Sequence, residues 1–296
     1  EHQASKRGLV ALSFSRRVCA DGRIGNATRE NGQPDGEEVE GITKIMANVA
    51  VITGAAQGIG RRTAQVLNEQ GWSLLLLDLQ NIDTSEYASA LALAGDISDE
   101  QFVESAAKQC LEKFGRVDAL VNNAGISCIS SALETSAELY RKVIDVNLVA
   151  PFLLAKAFGR LMLDHGSGSV VNVASVAGLQ GVADRSAYNA SKHGLIGLTR
   201  TLAVEWGAKG VRVNAVCPGW VKTEMDHKDQ AGGSYSDADI MEHVPMGRFA
   251  KPDDIAQAIA FLCDSSKSGF INGVSLPVDG GWTADGSWQS LRLKHR

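Results

Sequence analysis

From residue 48 onward the chain alternates short apolar runs with longer amphipathic segments, and no other feature narrows its fold as far. The runs NVAVIT (48–53), SLLLLD (73–78), LALAG (91–95), VDALVN (117–122), GSVVNVAS (168–175), VRVNAVCP (211–218) and VSLPVDG (274–280) read as strands. They are apolar on both faces, as strands beneath two helix layers must be, and crossover helices between them imply a mostly parallel sheet. Helical periodicity covers 59–70, 99–114, about 136–165, 186–206 and 252–264, with Gly71 and Gly115 as C-caps. Pro151 falls inside the third of these helices and brings no N–H, so a kink is expected near Asn147. The linker from Asp78 to Asp96 is short, and a stunted helix is expected there.

With 296 residues and 44% hydrophobic content the chain can bury one substantial core, and no repeat or compositional zone argues for a second domain. The net charge of -5 and the lack of a basic stripe with interleaved aromatics make nucleic acid a poor partner. No stretch holds about eighteen uninterrupted apolar residues, so no membrane-spanning helix is expected. Cys19, Cys110, Cys128, Cys217 and Cys263 are scattered without a CxxC spacing. That suits buried thiols in a reducing, cytoplasmic setting and no metal site. Residues 1–45 lack periodicity, begin basic and end acidic, and read as a flexible arm or linker, with a transit peptide as the alternative. Met46 makes a natural start for a folded unit over 46–283, and 284–296 reads as a tail.

TGAAQGIG, residues 53–60, follows the first strand directly and opens a helix. Backbone amides at a helix start can hold a pyrophosphate, and Gly54, Gly58 and Gly60 permit the tight turn and the close approach of strand and cofactor. An ordinary glycine-rich turn would not predict an acid closing the second strand, yet Asp78 lies there, at about the twenty-residue distance of a ribose-binding carboxylate. Such a carboxylate accepts hydrogen bonds from both ribose hydroxyls and repels a 2′-phosphate, which favours NAD over NADP. Arg61 and Arg62 are the residues that could meet a phosphate instead.

SAYNASKHG, residues 186–194, puts Tyr188 and Lys192 on one helix face. Alone, such a pair is usually a solvated face with a snorkelling lysine. Together with TGAAQGIG, NNAG (122–125), Asn147, Ser175 and PG (218–219), in this order, it makes the chain resemble the classical short-chain dehydrogenase/reductase family over roughly residues 47–282. The resemblance implies a single-domain Rossmann-type α/β fold, a doubly wound parallel sheet of about seven strands with helices on both faces, assembled as a homotetramer or a dimer. It implies a cofactor site built from Gly54, Gln57, Gly58, Ile59, Gly60, Asp78, Asp96, Ile97, Asn123, Ala124, Gly125, Tyr188, Lys192, Pro218, Gly219, Val221 and Thr223. Its catalytic positions match Asn147, Ser175, Tyr188 and Lys192.

Hydride exchange between an alcohol carbon and a nicotinamide requires a group that handles the alcohol proton near neutral pH. A free phenol, with a pKa of about 10, is too weak a base. An ammonium one turn away makes the tyrosinate easier to form, so Tyr188 is the expected acid/base and Lys192 its helper. Ser175 would donate to the substrate oxygen, and in the family the residue matching Asn147 supports a water that links the lysine to solvent. The substrate pocket is expected at the carboxyl edge of the sheet, with Ser175, Gln180, Tyr188 and Trp220 contributing. Ser127, Cys128, Ile129, Gly178 and Val182 are further candidates, and 224–246 is a lid candidate with Gly232 and Gly233 as hinges. The expected function is an NAD-dependent oxidoreductase for a secondary alcohol, such as a sugar or polyol, and its ketone. The alternatives are an NADPH-dependent 3-oxoacyl-carrier reductase and a non-catalytic NAD-sensing scaffold.

Overall fold

A computed structural model describes residues 47–231 and 235–294, with the side chains of residues 228, 231 and 293 left out. The chain divides into two units, Glu1–Lys44 and Ile45–Arg296, and the described residues all belong to the second. The arm over 1–45, Met46, Cys19 and the hinge positions Gly232 and Gly233 lie outside the described residues.

In chain order the elements are β1 (Val49–Thr53), α1 (Gly58–Glu69), β2 (Ser73–Asp78), β3 (Ala90–Ala94), α2 (Glu100–Phe114), β4 (Ala119–Asn122), α3 (Ala137–Ile144), α4 (Ala150–His165) and β5 (Gly168–Val173). They continue as α5 (Ser186–Trp206), β6 (Val211–Pro218), α6 (Glu224–Ala231), α7 (Asp237–His243), α8 (Pro252–Cys263), α9 (Ser265–Ser268), β7 (Ser275–Val278) and α10 (Gln289–Lys294). The strands form one seven-stranded sheet in the order β3-β2-β1-β4-β5-β6-β7. All of its pairings are parallel. The order reverses between β1 and β4, and that is where a crevice opens at the carboxyl ends of an open α/β sheet.

Because successive side chains of a strand point to opposite faces, each strand feeds two cores. Ala50, Ile52, Leu74, Leu76 and Val121 meet Leu67 of α1 and Ile255 and Ile259 of α8. Val49, Val51, Leu75, Leu77 and Leu120 meet Val103 of α2, Leu154, Phe158 and Met162 of α4 and Leu202 of α5. This two-sided burial is why the strand runs carry no polar alternation. Helix boundaries follow local chemistry. Asp99 caps α2 by accepting from the Gln101 N–H at 2.9 Å, and Gly115 closes it at φ 75°.

Two expectations change. No stunted helix forms between β2 and β3, because the segment is taken up by turns: the Asp83 carboxylate accepts from both the Ser85 N–H and hydroxyl at 2.9 Å, and the Tyr87 N–H donates to the Thr84 carbonyl. Such side-chain bonds compete with helix formation. The expected kink near Asn147 takes the form of a π turn over Asp145–Val149, in which the Ala150 N–H reaches back to the Asp145 carbonyl. Pro151 has no N–H for the Asn147 carbonyl one turn back, and the widened turn absorbs the mismatch without ending the helix. The composite helix Ala137–His165 has 29 residues and an 18-residue window with a mean hydropathy of 1.5, long and apolar enough to cross a membrane by length and composition. Here its Leu154, Phe158 and Met162 are fully buried against the sheet.

Cys110, Cys217 and Cys263 are buried and unpaired. Burial pushes their thiols up to about 12, 11 and 12 respectively, so they pack as small apolar groups. Among the described residues no cluster of histidine, cysteine or carboxylate side chains could hold a metal.

Candidate active site

The glycine turn sits at the carboxyl end of β1, where the Gly54 N–H donates to the Leu77 carbonyl of β2 at 2.8 Å. Gly54 holds φ at 64°, and a Cβ on Gly60 would stand 2.1 Å from the Gly54 carbonyl oxygen, so the helix start can approach the strand this closely only without a side chain. The Thr53 hydroxyl accepts from the Asn123 and Ala124 N–H groups, both at 3.0 Å, while the Asn123 amide donates to the Thr53 and Gly54 carbonyls at 2.9 and 3.2 Å. These bonds lock the ends of β1 and β4 together beneath the turn. The N-terminus of α1 has no side-chain cap and no acid in its first turn, which leaves its amides for an anion.

Asp78 ends β2 with both carboxylate oxygens fixed, one accepting from the Ala56 N–H and the other from the Gln80 N–H, each at 3.0 Å. Arg62 points away, toward Asp253 of α8 at 2.7 Å and Glu69 at 3.0 Å, and Arg61 faces Glu86 at 3.4 Å. Beside Asp78, a pocket of about 240 Å³ is lined by Arg61, Asp83, Glu86 and Tyr87 with neighbouring backbone. A nucleotide fits this end of the site: uncapped amides for its phosphates, a glycine cradle that a Cβ would fill, and an oriented carboxylate for its ribose.

The second half of the site comes from β5 and α5. Ser175 lies two residues past β5 and accepts from the Ala177 N–H at 3.1 Å. Lys192 is 3% exposed, donates to the Val173 carbonyl at 2.8 Å, and sits 5.6 Å from the centre of the Tyr188 ring. Burial depresses Lys192 to about 8. Tyr188 moves up from the ordinary phenol value: burial raises it, while the hydrogen bond of Ser175 and the charge of Arg185 pull it back and Asp229 adds to the rise. Loss of water around the phenol therefore outweighs the help it receives, and that help comes from Ser175 and Arg185 rather than from the expected Lys192 ammonium. Asn147 is fully buried. Its amide bridges the Ile126 backbone at 2.8 and 3.0 Å and donates to the Ser191 hydroxyl at 3.2 Å.

One cavity of about 710 Å³ gathers most of these positions. Its wall includes Gly54, Gln57, Gly58, Ile59, Asp78, Asp96, Ile97, Asn123, Ala124, Gly125, Ser175, Tyr188, Lys192, Pro218, Gly219, Trp220, Val221 and Thr223. Gly60 and Asn147 stand behind that wall and shape it. Gln180 does not line it: the 3-10 turn Val176–Gly178 carries the chain outward, the Gln180 N–H donates to the Val176 carbonyl, and its side chain is exposed. Ser127 and Val182 reach the wall, whereas Cys128, Ile129 and Gly178 do not.

Arg185, Asp226, Asp229 and Tyr235 also line the cavity; sequence reasoning passed over Arg185 and covered the other three only as unnamed members of the 224–246 segment. Arg185 carried a signal, three residues before Tyr188. The others sit in a polar segment whose spacing reveals nothing of its fold. The lid candidate is two short helices, α6 and α7. The tail also folds: α10 brings Arg292 to Asp285 at 2.7 Å and to His243 at 2.8 Å.

The family model described as Enoyl-(Acyl carrier protein) reductase matches residues 54–283. A D-threitol dehydrogenase of Mycolicibacterium smegmatis is 38% identical over 248 residues, 81% of this chain and 94% of that protein. A 3-oxoacyl-[acyl-carrier-protein] reductase of Synechocystis is 35% identical over 249 residues, covering 81% and 98%. Among solved structures, levodione reductase superposes with a TM-score of 0.76 at 34% identity, over 80% of this chain and 98% of that one.

Proposed function

The chain belongs to the short-chain dehydrogenase/reductase family, oxidoreductases of CH–OH groups that use a nicotinamide cofactor, and from that premise we propose an NAD-dependent enzyme that interconverts a secondary alcohol, foremost a sugar or polyol, and its ketone. One observation carries the reading: Ser175, Tyr188 and Lys192 open onto the same cavity as the glycine turn and Asp78.

A bound nicotinamide would supply the carbon that accepts or gives the hydride. Gly54, Gly58 and the first amides of α1 would hold its phosphates, with Asp78 on the adenosine ribose and Asp96 and Ile97 beside the adenine. Val221 and Thr223 would hold the carboxamide. Tyr188 takes the proton from the alcohol oxygen, or returns it to the carbonyl oxygen, and Ser175 donates to that oxygen as charge builds on it. Lys192, depressed to about 8, keeps most of its charge at neutral pH and stands ready to pass a proton on. The side chain of Asn147 is engaged by the Ile126 backbone and the Ser191 hydroxyl, so its contribution falls to the carbonyl that Pro151 leaves without an N–H, where a water would lead from Lys192 to solvent. Tyr188→Phe, folded normally, should lose turnover by about 100- to 10,000-fold. Near-normal turnover in that variant would sink the reading.

The preference for NAD rests on Asp78 and on the acids Asp83 and Glu86 in the adjoining pocket, whose arginine is already paired. A 2′-phosphate would meet carboxylates there. The likeness to the Synechocystis reductase favours a second reading, an NADPH-dependent 3-oxoacyl-carrier reductase. Turnover of alditols with NAD against 3-oxo esters with NADPH separates the two. Assembly into a homotetramer or dimer is supported by the apolar Val149 and Phe152 on one helix face and Val204 on α5, all exposed in the single chain. Light scattering at micromolar concentration tests it.

A further inference from the structure

At the substrate end of the cavity three polar side chains from three walls close on one another. Arg185, the residue before α5, donates through Nη1 to the Ser127 hydroxyl at 2.7 Å and to Asp229 Oδ2 at 3.1 Å. Ser127, in the loop after β4, donates to the same Asp229 oxygen at 3.0 Å. Asp229 arrives on α6. All three line the cavity, and the side chains of the ion pair are only 9% and 17% exposed. The guanidinium lies 6.0 Å from the ring centre of Tyr188 and 5.5 Å from that of Trp220, which packs edge-on against Tyr235 at 4.8 Å.

We propose that the Arg185–Asp229 pair, held by Ser127, is the specificity device of this site and selects uncharged substrates with neighbouring hydroxyls over both sugar acids and hydroxyl-poor alcohols. This rests on the preceding reading of the cavity as an alcohol-oxidising site. The pair is a donor and an acceptor fixed side by side, with Nη2 of the arginine and Oδ1 of the aspartate outside the three bonds of the triad, and two adjacent hydroxyls present the matching acceptor and donor. The charge of Arg185 is already matched by Asp229, and that of Asp226, on the same cavity wall, by Lys222 at 3.1 Å. An anionic substrate would therefore find the guanidinium already neutralised and a carboxylate beside it, while an apolar alcohol would have to cover a buried ion pair without bonding to it, which is costly. Trp220 and Tyr235 give the C–H faces of a polyol an aromatic wall.

The test compares kcat/KM for alditols of four to six carbons, the matching aldonates and cyclohexanol. The wild-type protein should favour alditols. Asp229→Asn, nearly isosteric, should lower the alditol-to-cyclohexanol ratio about 10- to 100-fold, the worth of one charge-assisted hydrogen bond, and should raise aldonate relative to alditol. Arg185→Gln should lower the first ratio without raising the second, and Arg185→Lys should restore part of it. A ratio that stays within threefold in Asp229→Asn, a parallel fall for all substrates, or a wild-type preference for aldonates would overturn the proposal. If wild type oxidises no alcohol with either nucleotide, the reading of the site as a dehydrogenase fails separately. Alditol quenching of tryptophan fluorescence then decides: quenching lost in Asp229→Asn supports the pair as a polyol site, and absence of quenching in wild type refutes it.

Discussion

Replacing Lys192 by methionine should abolish turnover and at the same time make the protein more stable, by an amount that fades as pH rises. Lys192 is 3% exposed, its ammonium donates to the Val173 carbonyl, and burial brings it from 10.5 to about 8. A base whose folded-state pKa is depressed binds fewer protons folded than unfolded between those two values, so stability rises with pH across that window. Burying the charged form costs about 3 kcal/mol at pH 7 and about 1 kcal/mol at pH 10, at ~1.4 kcal/mol for each tenfold change in proton affinity. The lost hydrogen bond to Val173 returns about 1 kcal/mol of that. Lys192→Met should thus gain about 2 kcal/mol at pH 7 and almost nothing at pH 10. Urea unfolding of both proteins at several pH values between 7 and 10 measures the difference. Tyr188 titrates in both proteins and largely cancels. A stability difference that does not change with pH, or a destabilised variant at pH 7, would refute the claim that Lys192 is held as a buried charge.

Gly60→Ala puts a Cβ 2.1 Å from the Gly54 carbonyl and 2.5 Å from the Asn123 amide, so nucleotide binding followed by NADH fluorescence should be lost while circular dichroism stays near that of wild type; binding within threefold of wild type would show that the turn can yield. Asp78→Asn should cut the discrimination of NAD over NADP at least about tenfold, the loss of roughly one charge–charge interaction, measured as the ratio of kcat/KM values; an unchanged ratio would move the selectivity to another residue. Phe158, fully buried between α4 and the sheet, should cost about 3–5 kcal/mol on truncation to alanine, read from urea midpoints at constant slope. A loss under 1 kcal/mol would mean that the core around it can collapse.

The seven strand runs, the 21-residue α5 and the long helix interrupted at Asn147 were legible because each depends on local periodicity, and a parallel sheet leaves that periodicity undisguised. Asp83 and Ser85 defeated the expected helix after β2, because a competition between side-chain turns and a helix is decided by bonds that a propensity argument does not count. Gln180 was misplaced for a similar reason: being near Ser175 in sequence says nothing about which way a single 3-10 turn sends the chain.

By itself, the sequence determined the doubly wound parallel sheet, the glycine turn with its partner acid Asp78, and the spacing of Tyr188 and Lys192, all of which are properties of short segments. Tertiary structure alone decided that Arg185, Ser127 and Asp229 meet, across 58 and 102 positions of chain. It also decided that the Tyr188 phenol is pushed up and the Lys192 ammonium down, because both changes come from water excluded by neighbours on other elements, and exclusion exists only once those elements have packed.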